Sequence, residues 1–277
     1  MSPRCKIIPD RDYVLRQLPC LNGKTGMGYI INASDGRNFV IDGGNHEDAG
    51  QLLELIRNTC GGEITAWFIT HPHPGHAGAL SSILADFPDD LKILKIFYSH
   101  VSLEKVEKYE PDSAPFVAMF NTLLKGSGIP TVAVHAGDRI KLGRTMIRVF
   151  SGGDGEYTED YVNNSSAVYK FNMYCTSIIF LGDIMREASI SLLERYKSEL
   201  NCDMIQMANH GIRGALSEIY ALATPDVCFW STPAEFIAEG TENGAVYLET
   251  RHLLEALGTD EHYVSGVDGL IEIHISY

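Results

Sequence analysis

Three histidines fall within six residues in Thr70-His71-Pro72-His73-Pro74-Gly75-His76, at the end of the apolar segment Ile64–Thr70. Neutral imidazole is the commonest nitrogen ligand for zinc and also suits iron. A strand end followed by a turn rich in Pro and Gly can aim several such rings at one point. Two later segments repeat the design: Ser177–Leu181 runs into Gly182-Asp183, and Met204–Ala208 runs into Asn209-His210-Gly211. In each, a glycine beside the candidate ligand lets the backbone approach closely. Singly, a Gly-Asp turn or a histidine before glycine is commonplace, and a histidine cluster can be a surface loop. Three strand ends of this kind in one chain favour a metal site.

The elements that must hold these residues read as strand, turn and helix in alternation. Strands are expected at Tyr29–Asn32, Asn38–Asp42, Ile64–Thr70, Lys92–Ser99, Thr131–Ala136, Arg139–Phe150, Ser166–Met173, Thr176–Leu181, Met204–Ala208, Val227–Ser231 and Leu270–Ser276. Helices are expected at Asn45–Asn58, His76–Phe87, Arg186–Leu200 and Tyr247–Leu257, and over Ser102–Lys125 with a break at Pro111 to Pro115. This pattern suits an α/β fold of two mixed sheets facing each other with helices outside. Composition does not shift along the chain, so residues 1–277 are expected to form one domain.

With these residues in view, the chain resembles the metallo-β-lactamase superfamily over nearly its whole length. The family's first landmark, a strand ending in Asp-Gly-Gly, is matched by Ile41-Asp42-Gly43-Gly44. Its His-x-His-x-Asp-His signature is matched by His71, His73, Gly75 and His76, its later Gly-Asp by Asp183, and its final histidine by His210. The resemblance implies a four-layer αββα sandwich with metal at the sheet edge. The second half is similar to one branch, the hydrolase domain of bacterial competence (DNA-uptake) proteins. The likeness lies in Asn163-Asn164-Ser165-Ser166, in the Asn209-His210-Gly211 turn, where the branch has His-His-Gly, and in the Val267-Asp268-Gly269 pattern.

By resemblance, His71 and His73 bind a first metal, His76 and His210 a second, and Asp183 bridges them, making Asp183 and His210 the candidate catalytic residues. Zinc is the expected metal, with manganese or iron as alternatives. Asp42, Asn164 and Ser166 are expected beside the ligands or at the substrate. Asn163, Ser165, Tyr157, Tyr161, His252 and His262 read as ordinary loop, surface or core positions. Two departures stand out. No histidine lies between His135 and His210, where many members carry a further ligand, and His135 itself reads as part of a turn. Gly75 stands where the family has a metal-binding aspartate, so the second site is expected to load less fully. An aspartate placed at Gly75 is expected to fit and to restore that site.

The expected activity is hydrolysis by a metal-activated water, whose pKa falls to about 7 in such sites. A phosphodiester or other small ester is the expected substrate, with a lactone or cyclic ester as the enzymatic alternative. A degenerate member that binds metal without turnover is the rival expectation, carried by Gly75. The 22 Lys and Arg against 36 Asp and Glu give a net charge of −14, which repels a nucleic-acid duplex and favours a small or short anionic substrate. The six cysteines, Cys5, Cys20, Cys60, Cys175, Cys202 and Cys228, form no CxxC pair, which disfavours thiolate zinc and fits a reducing compartment. Met1–Arg16 lacks an apolar signal-peptide core, and no apolar run reaches membrane-spanning length, so a cytoplasmic location without membrane contact is expected.

Overall fold

The computed structural model describes residues 12–20, 23–153 and 155–276. Most of the N-terminal segment read for a signal peptide, together with Cys5, lies outside these residues.

In chain order the first part of the chain carries β1 (Tyr13–Gln17), β2 (Gly28–Ala33), β3 (Asn38–Asp42), α1 (Ala49–Cys60), β4 (Glu63–Ile64) and β5 (Ala66–Ile69). Then come α2 (Pro74–Asp86), β6 (Lys92–Ile93), β7 (Ile96–Tyr98), α3 (Leu103–Tyr109), α4 (Ala114–Gly126) and β8 (Thr131–Ala133). The second part carries β9 (Arg139–Leu142), β10 (Thr145–Ser151), α5 (Tyr161–Asn164), β11 (Val168–Met173), β12 (Thr176–Phe180), α6 (Arg186–Tyr196) and β13 (Met204–Gln206). It ends with α7 (Ser217–Ala223), β14 (Val227–Trp230), α8 (Glu242–Ala256), β15 (Glu261–Val264), α9 (Ser265–Asp268) and β16 (Ile271–Ile275).

Two seven-stranded sheets form among the described residues, in the orders β16-β1-β2-β3-β5-β7-β8 and β15-β14-β13-β12-β11-β10-β9, with a small β4-β6 pair beside them. In the first sheet β16, β1, β2 and β3 run antiparallel and β3, β5, β7 and β8 parallel. The second sheet has the same plan: β9 to β12 are antiparallel, and β12 to β15 are parallel. The inner faces meet in one apolar core, where Tyr29, Phe39 and Phe68 of one sheet pack against Tyr169, Phe171 and Phe180 of the other. Trp67, Leu52, Leu80 and Phe120 form the layer between the first sheet and α1, α2 and α4. Trp230, Leu192, Ile219 and Leu254 do the same between the second sheet and α6, α7 and α8. The architecture is the four-layer αββα sandwich that the resemblance implies.

This topology places the chemistry. β3 and β5 are parallel neighbours, and so are β12 and β13. Asp42 closes β3, His71 follows β5, Asp183 follows β12 and His210 follows β13. All four leave the C-terminal ends of central parallel strands, where open α/β sheets place their ligand crevices. Hydrogen bonds join the two layers beside that crevice: Ala167 N–H donates to Thr70 O at 2.7 Å and Tyr169 O–H to Ile69 O at 3.1 Å.

Candidate metal centre

Each strand end is locked by local chemistry. Asp42 adopts a left-handed φ of 52° and turns its carboxylate into the protein. There Oδ1 accepts the Thr70 N–H at 2.7 Å, and Oδ2 accepts the Thr70 hydroxyl at 2.7 Å and His76 Nδ1–H at 2.8 Å. Gly182 has φ 59°, and a Cβ there would lie 2.9 Å from Ser166 Cβ and Oγ. Gln206 clamps the same turn, accepting from the Leu181 and Gly182 amides and donating to Gly182 O. Asn209 and His210 both have positive φ, 46° and 60°. Strained backbone of this kind persists where the surroundings over-determine it, typically at functional sites.

The result is a convergence on one carboxylate oxygen. His76 Nε2 lies 3.1 Å from Asp183 Oδ2, His210 Nε2 3.3 Å and His71 Nε2 3.8 Å. His73 joins through its other nitrogen, Nδ1, 3.1 Å from His71 Nε2. The remote nitrogens are committed: His76 Nδ1–H donates to Asp42, and His210 Nδ1–H donates to Ser231 O at 2.9 Å. Their Nε2 lone pairs therefore face acceptors rather than donors, an arrangement that calls for a cation or shared protons between them. Asp183 Oδ1 is buried without any partner. Four imidazoles, one carboxylate and an orphaned oxygen fit a divalent metal of the zinc, iron or manganese type.

Burial works against a charged His76, but Asp183 and Asp42 outweigh it and push its pKa up to about 10. His71 is driven well below the usual histidine range by burial and then by the neighbouring His76 cation. Burial also opposes a charged Asp183, yet His210 and His76 hold its carboxyl well below the ordinary value.

Supporting groups surround the ligands. Ser166 Oγ lies 3.1 Å from His71 Nδ1 and accepts the Asp183 N–H at 3.1 Å. Asn164 is buried, its Oδ1 accepting the Met185 and Ala188 amides at the start of α6 and its Nδ2 donating to Glu159 O. It does not line the cleft. Asn163 does, with a buried Oδ1 that has no partner. Glu110, without any local sequence signal, accepts His73 Nε2–H at 2.7 Å. His135 lies in a turn closed by Asp138.

His73, His76, Asp183 and His210 form the floor of an open cleft of about 720 Å³, while His71 is fully buried and does not line it. Its walls carry Lys24, Arg213, Asn45, Asn243, Ile212 and Phe236, none of them conspicuous in the sequence. Tyr157, Tyr161, His252 and His262 are not among its described lining residues.

Gly75 corrects one expectation. Its backbone is not in the left-handed region, so conformation does not demand glycine. Space does: a Cβ at Gly75 would lie 2.8 Å from the Thr25 carbonyl oxygen, which Asn45 Nδ2 holds in place at 2.9 Å. Gly75 O in turn accepts the Met27 N–H at 2.9 Å. Any side chain at Gly75 must displace the Thr25–Gly26 backbone at its Cβ, so the expectation that aspartate fits here without rearrangement does not hold.

Comparison with known proteins bears on the fold and on the first part of the chain. Residues 23–156 match the metallo-beta-lactamase superfamily profile. A sequence search among curated proteins finds no significant match. The fold is similar to the metallo-beta-lactamase fold protein YhfI from Bacillus subtilis, with a TM-score of 0.58 and 10% identity over 95% of this chain and 100% of that one. It is similar to unliganded yeast PDE1, with a TM-score of 0.58 and 15% identity over 96% and 100% of the two chains. It is also similar to a diphosphatase of the PhnP family, with a TM-score of 0.53 and 13% identity over 96% and 98%. The chain thus has the metallo-β-lactamase fold, and its residues 23–156 match the profile of a superfamily whose members are mostly metal-dependent hydrolases.

Proposed function

We propose that the chain is a metal-dependent hydrolase acting on a small anionic ester, with a phosphodiester as the first candidate and a lactone or other cyclic ester as the second. The observation that carries this reading is the meeting of His71, His73, His76, His210 and Asp183 in one cluster, all but the buried His71 lining an accessible cleft, with Asp183 Oδ1 left unpartnered. His71 and His73 would hold one zinc, His76 and His210 a second and weaker one, and Asp183 both, with manganese or iron as alternatives. A metal held there would supply a nucleophilic hydroxide at neutral pH and Lewis-acid polarisation of the ester oxygen. Asp42 and the Ser231 carbonyl fix the ring tautomers of His76 and His210 that leave Nε2 free to bind.

Charge in the cleft supports an anionic substrate. In a chain of net charge −14, the cleft lining holds Lys24 and Arg213 and, among its described residues, only one carboxylate, Asp183. Lys24 pairs with Glu47 and Arg213 with Glu242, all four side chains being largely exposed. Exposed pairs of this kind are weak and exchange readily for a substrate anion. The Asn163-Asn164-Ser165-Ser166 segment and the Asn209-His210-Gly211 turn support a place beside the competence-protein hydrolase domains. The core shared by both sheets supports reading the chain as one domain.

Gly75 favours a second reading, a member that binds metal without turnover. The deciding experiment compares hydrolysis of bis(p-nitrophenyl) phosphate, p-nitrophenyl acetate and a simple lactone by zinc-loaded and chelator-treated protein. Zinc-dependent cleavage, fastest for the phosphodiester, is expected. Zinc uptake with no cleavage of any of the three would favour the second reading.

A further inference from the structure

We propose that Glu110 is a positioning residue that sets the tautomer of His73 and ties this ring to the turn carrying Asn163. The inference rests on the metal-centre reading and extends it to a part of the chain outside the ligand motifs. Glu110 lies between α3 and α4, 37 residues beyond His73. Its Oε1 accepts His73 Nε2–H at 2.7 Å and the Ser113 hydroxyl at 2.7 Å. Its Oε2 accepts the Val162 backbone N–H at 3.0 Å, at the start of α5.

The hydrogen-bond inventory gives the consequence. An ionised carboxylate only accepts. With Glu110 opposite Nε2, the His73 proton stays on Nε2 and the Nδ1 lone pair is left facing His71 Nε2, where the ligand cluster lies. The other tautomer would put a proton at the ligating position. The second carboxylate oxygen holds the first turn of α5, so one side chain orders a ligand and the adjacent cleft residue Asn163 together. A glutamine in this place has one oxygen and one NH2 group. Whichever way it turns, its NH2 group meets a donor: His73 Nε2–H on one side or Val162 N–H on the other. One of the two links must therefore fail.

The test uses Glu110→Gln in the full chain, with Ser113→Ala as the comparison variant: Ser113 Oγ also lies 3.1 Å from His73 Nε2, but its removal leaves both links of Glu110 in place. Imidazole 15N spectra of the metal-free proteins report the His73 tautomer. Amide exchange at Val162 reports the second link, and competition with a chelator gives the zinc affinity. Wild type and Ser113→Ala should carry the proton on His73 Nε2. Glu110→Gln should lose that tautomer or the Val162 protection, and where the tautomer is lost zinc should bind about 10- to 100-fold more weakly. A Glu110→Gln protein with the wild-type tautomer, Val162 protection and zinc affinity would overturn the proposal. If wild type itself takes up no zinc, the metal-centre reading fails, and the tautomer and exchange data still decide the role of Glu110. Should Glu110→Gln not fold, Glu110→Asp, which keeps the charge but is too short to span both partners, carries the same two spectroscopic readouts.

Discussion

Replacing Gly75 by alanine and by aspartate tests whether this glycine is merely a lost ligand or a built part of the fold. The alanine Cβ would sit 2.8 Å from the Thr25 carbonyl oxygen, a backbone atom fixed by Asn45. The strand-side anchor from Met27 N–H to Gly75 O resists a shift in the opposite direction. Forcing atoms into a packed site of this kind costs about 1–3 kcal/mol. For a chain of this size that lowers the melting temperature by about 2–6 °C. Gly50 and Gly126, in α1 and α4, provide the comparison, because a Cβ at either meets nothing within 4 Å. Gly50→Ala and Gly126→Ala should be neutral or gain up to about 1 kcal/mol from helix propensity. The assay is thermal unfolding of all four variants, with metal content measured on the same samples. Gly75→Ala and Gly75→Asp should both melt below wild type, and Gly75→Asp should bind no additional metal. A Gly75→Asp protein as stable as wild type and carrying extra metal would refute the steric argument and return Gly75 to the status of a simple missing ligand.

Three further outcomes are expected. The folded-state pKa of His76 is raised, so its contribution to the metal-free protein is complete below the ordinary histidine value of 6.5 and is lost as pH rises towards about 10; chemical denaturation across that range should show falling stability, and zinc binding should release a proton. Asp42→Asn leaves one of the donors from Thr70 or His76 without an acceptor inside the core, which should cost about 1–3 kcal/mol and weaken zinc binding about 10- to 100-fold, read by denaturation and chelator competition. Lys24→Ala and Arg213→Ala should each raise KM for an anionic ester by up to about fivefold, leave a neutral ester unaffected, and lose their effect at high salt.

The ligand-bearing strand ends were legible because buried parallel strands are short, continuous apolar runs, and each here stops at a His, Asp or Gly. The break between α3 and α4 was legible from Pro111. Other elements carry weaker patterns. β1 alternates buried and half-buried residues, but Arg16 and Gln17 disguise it, and β15 is a polar edge strand. The stretch Arg139–Phe150 reads as one strand, yet Gly143 at φ 61° folds it into the β9–β10 hairpin. α8 begins at Glu242, capped by the Thr241 hydroxyl, rather than at Tyr247. Within the site, sequence spacing identified the residues that follow each strand, but not those brought in from elsewhere. Glu110 and Lys24 reach the cluster or its cleft through tertiary packing alone, and Arg213, three residues after His210, belongs to no recognisable motif. The obstruction at Gly75 comes from a carbonyl 50 residues upstream, which no local motif encodes.

Zinc retention by wild type and by Asp183→Asn, measured by mass spectrometry after dialysis and paired with phosphodiester hydrolysis on the same samples, tests the central claim most directly. Asp183 is the group on which His71, His76 and His210 converge. Wild type should retain zinc and lose hydrolysis on chelation, while Asp183→Asn should retain little zinc and remain inactive after zinc is added back. Equal zinc retention by the two proteins, or hydrolysis that ignores both the chelator and the substitution, would contradict the account.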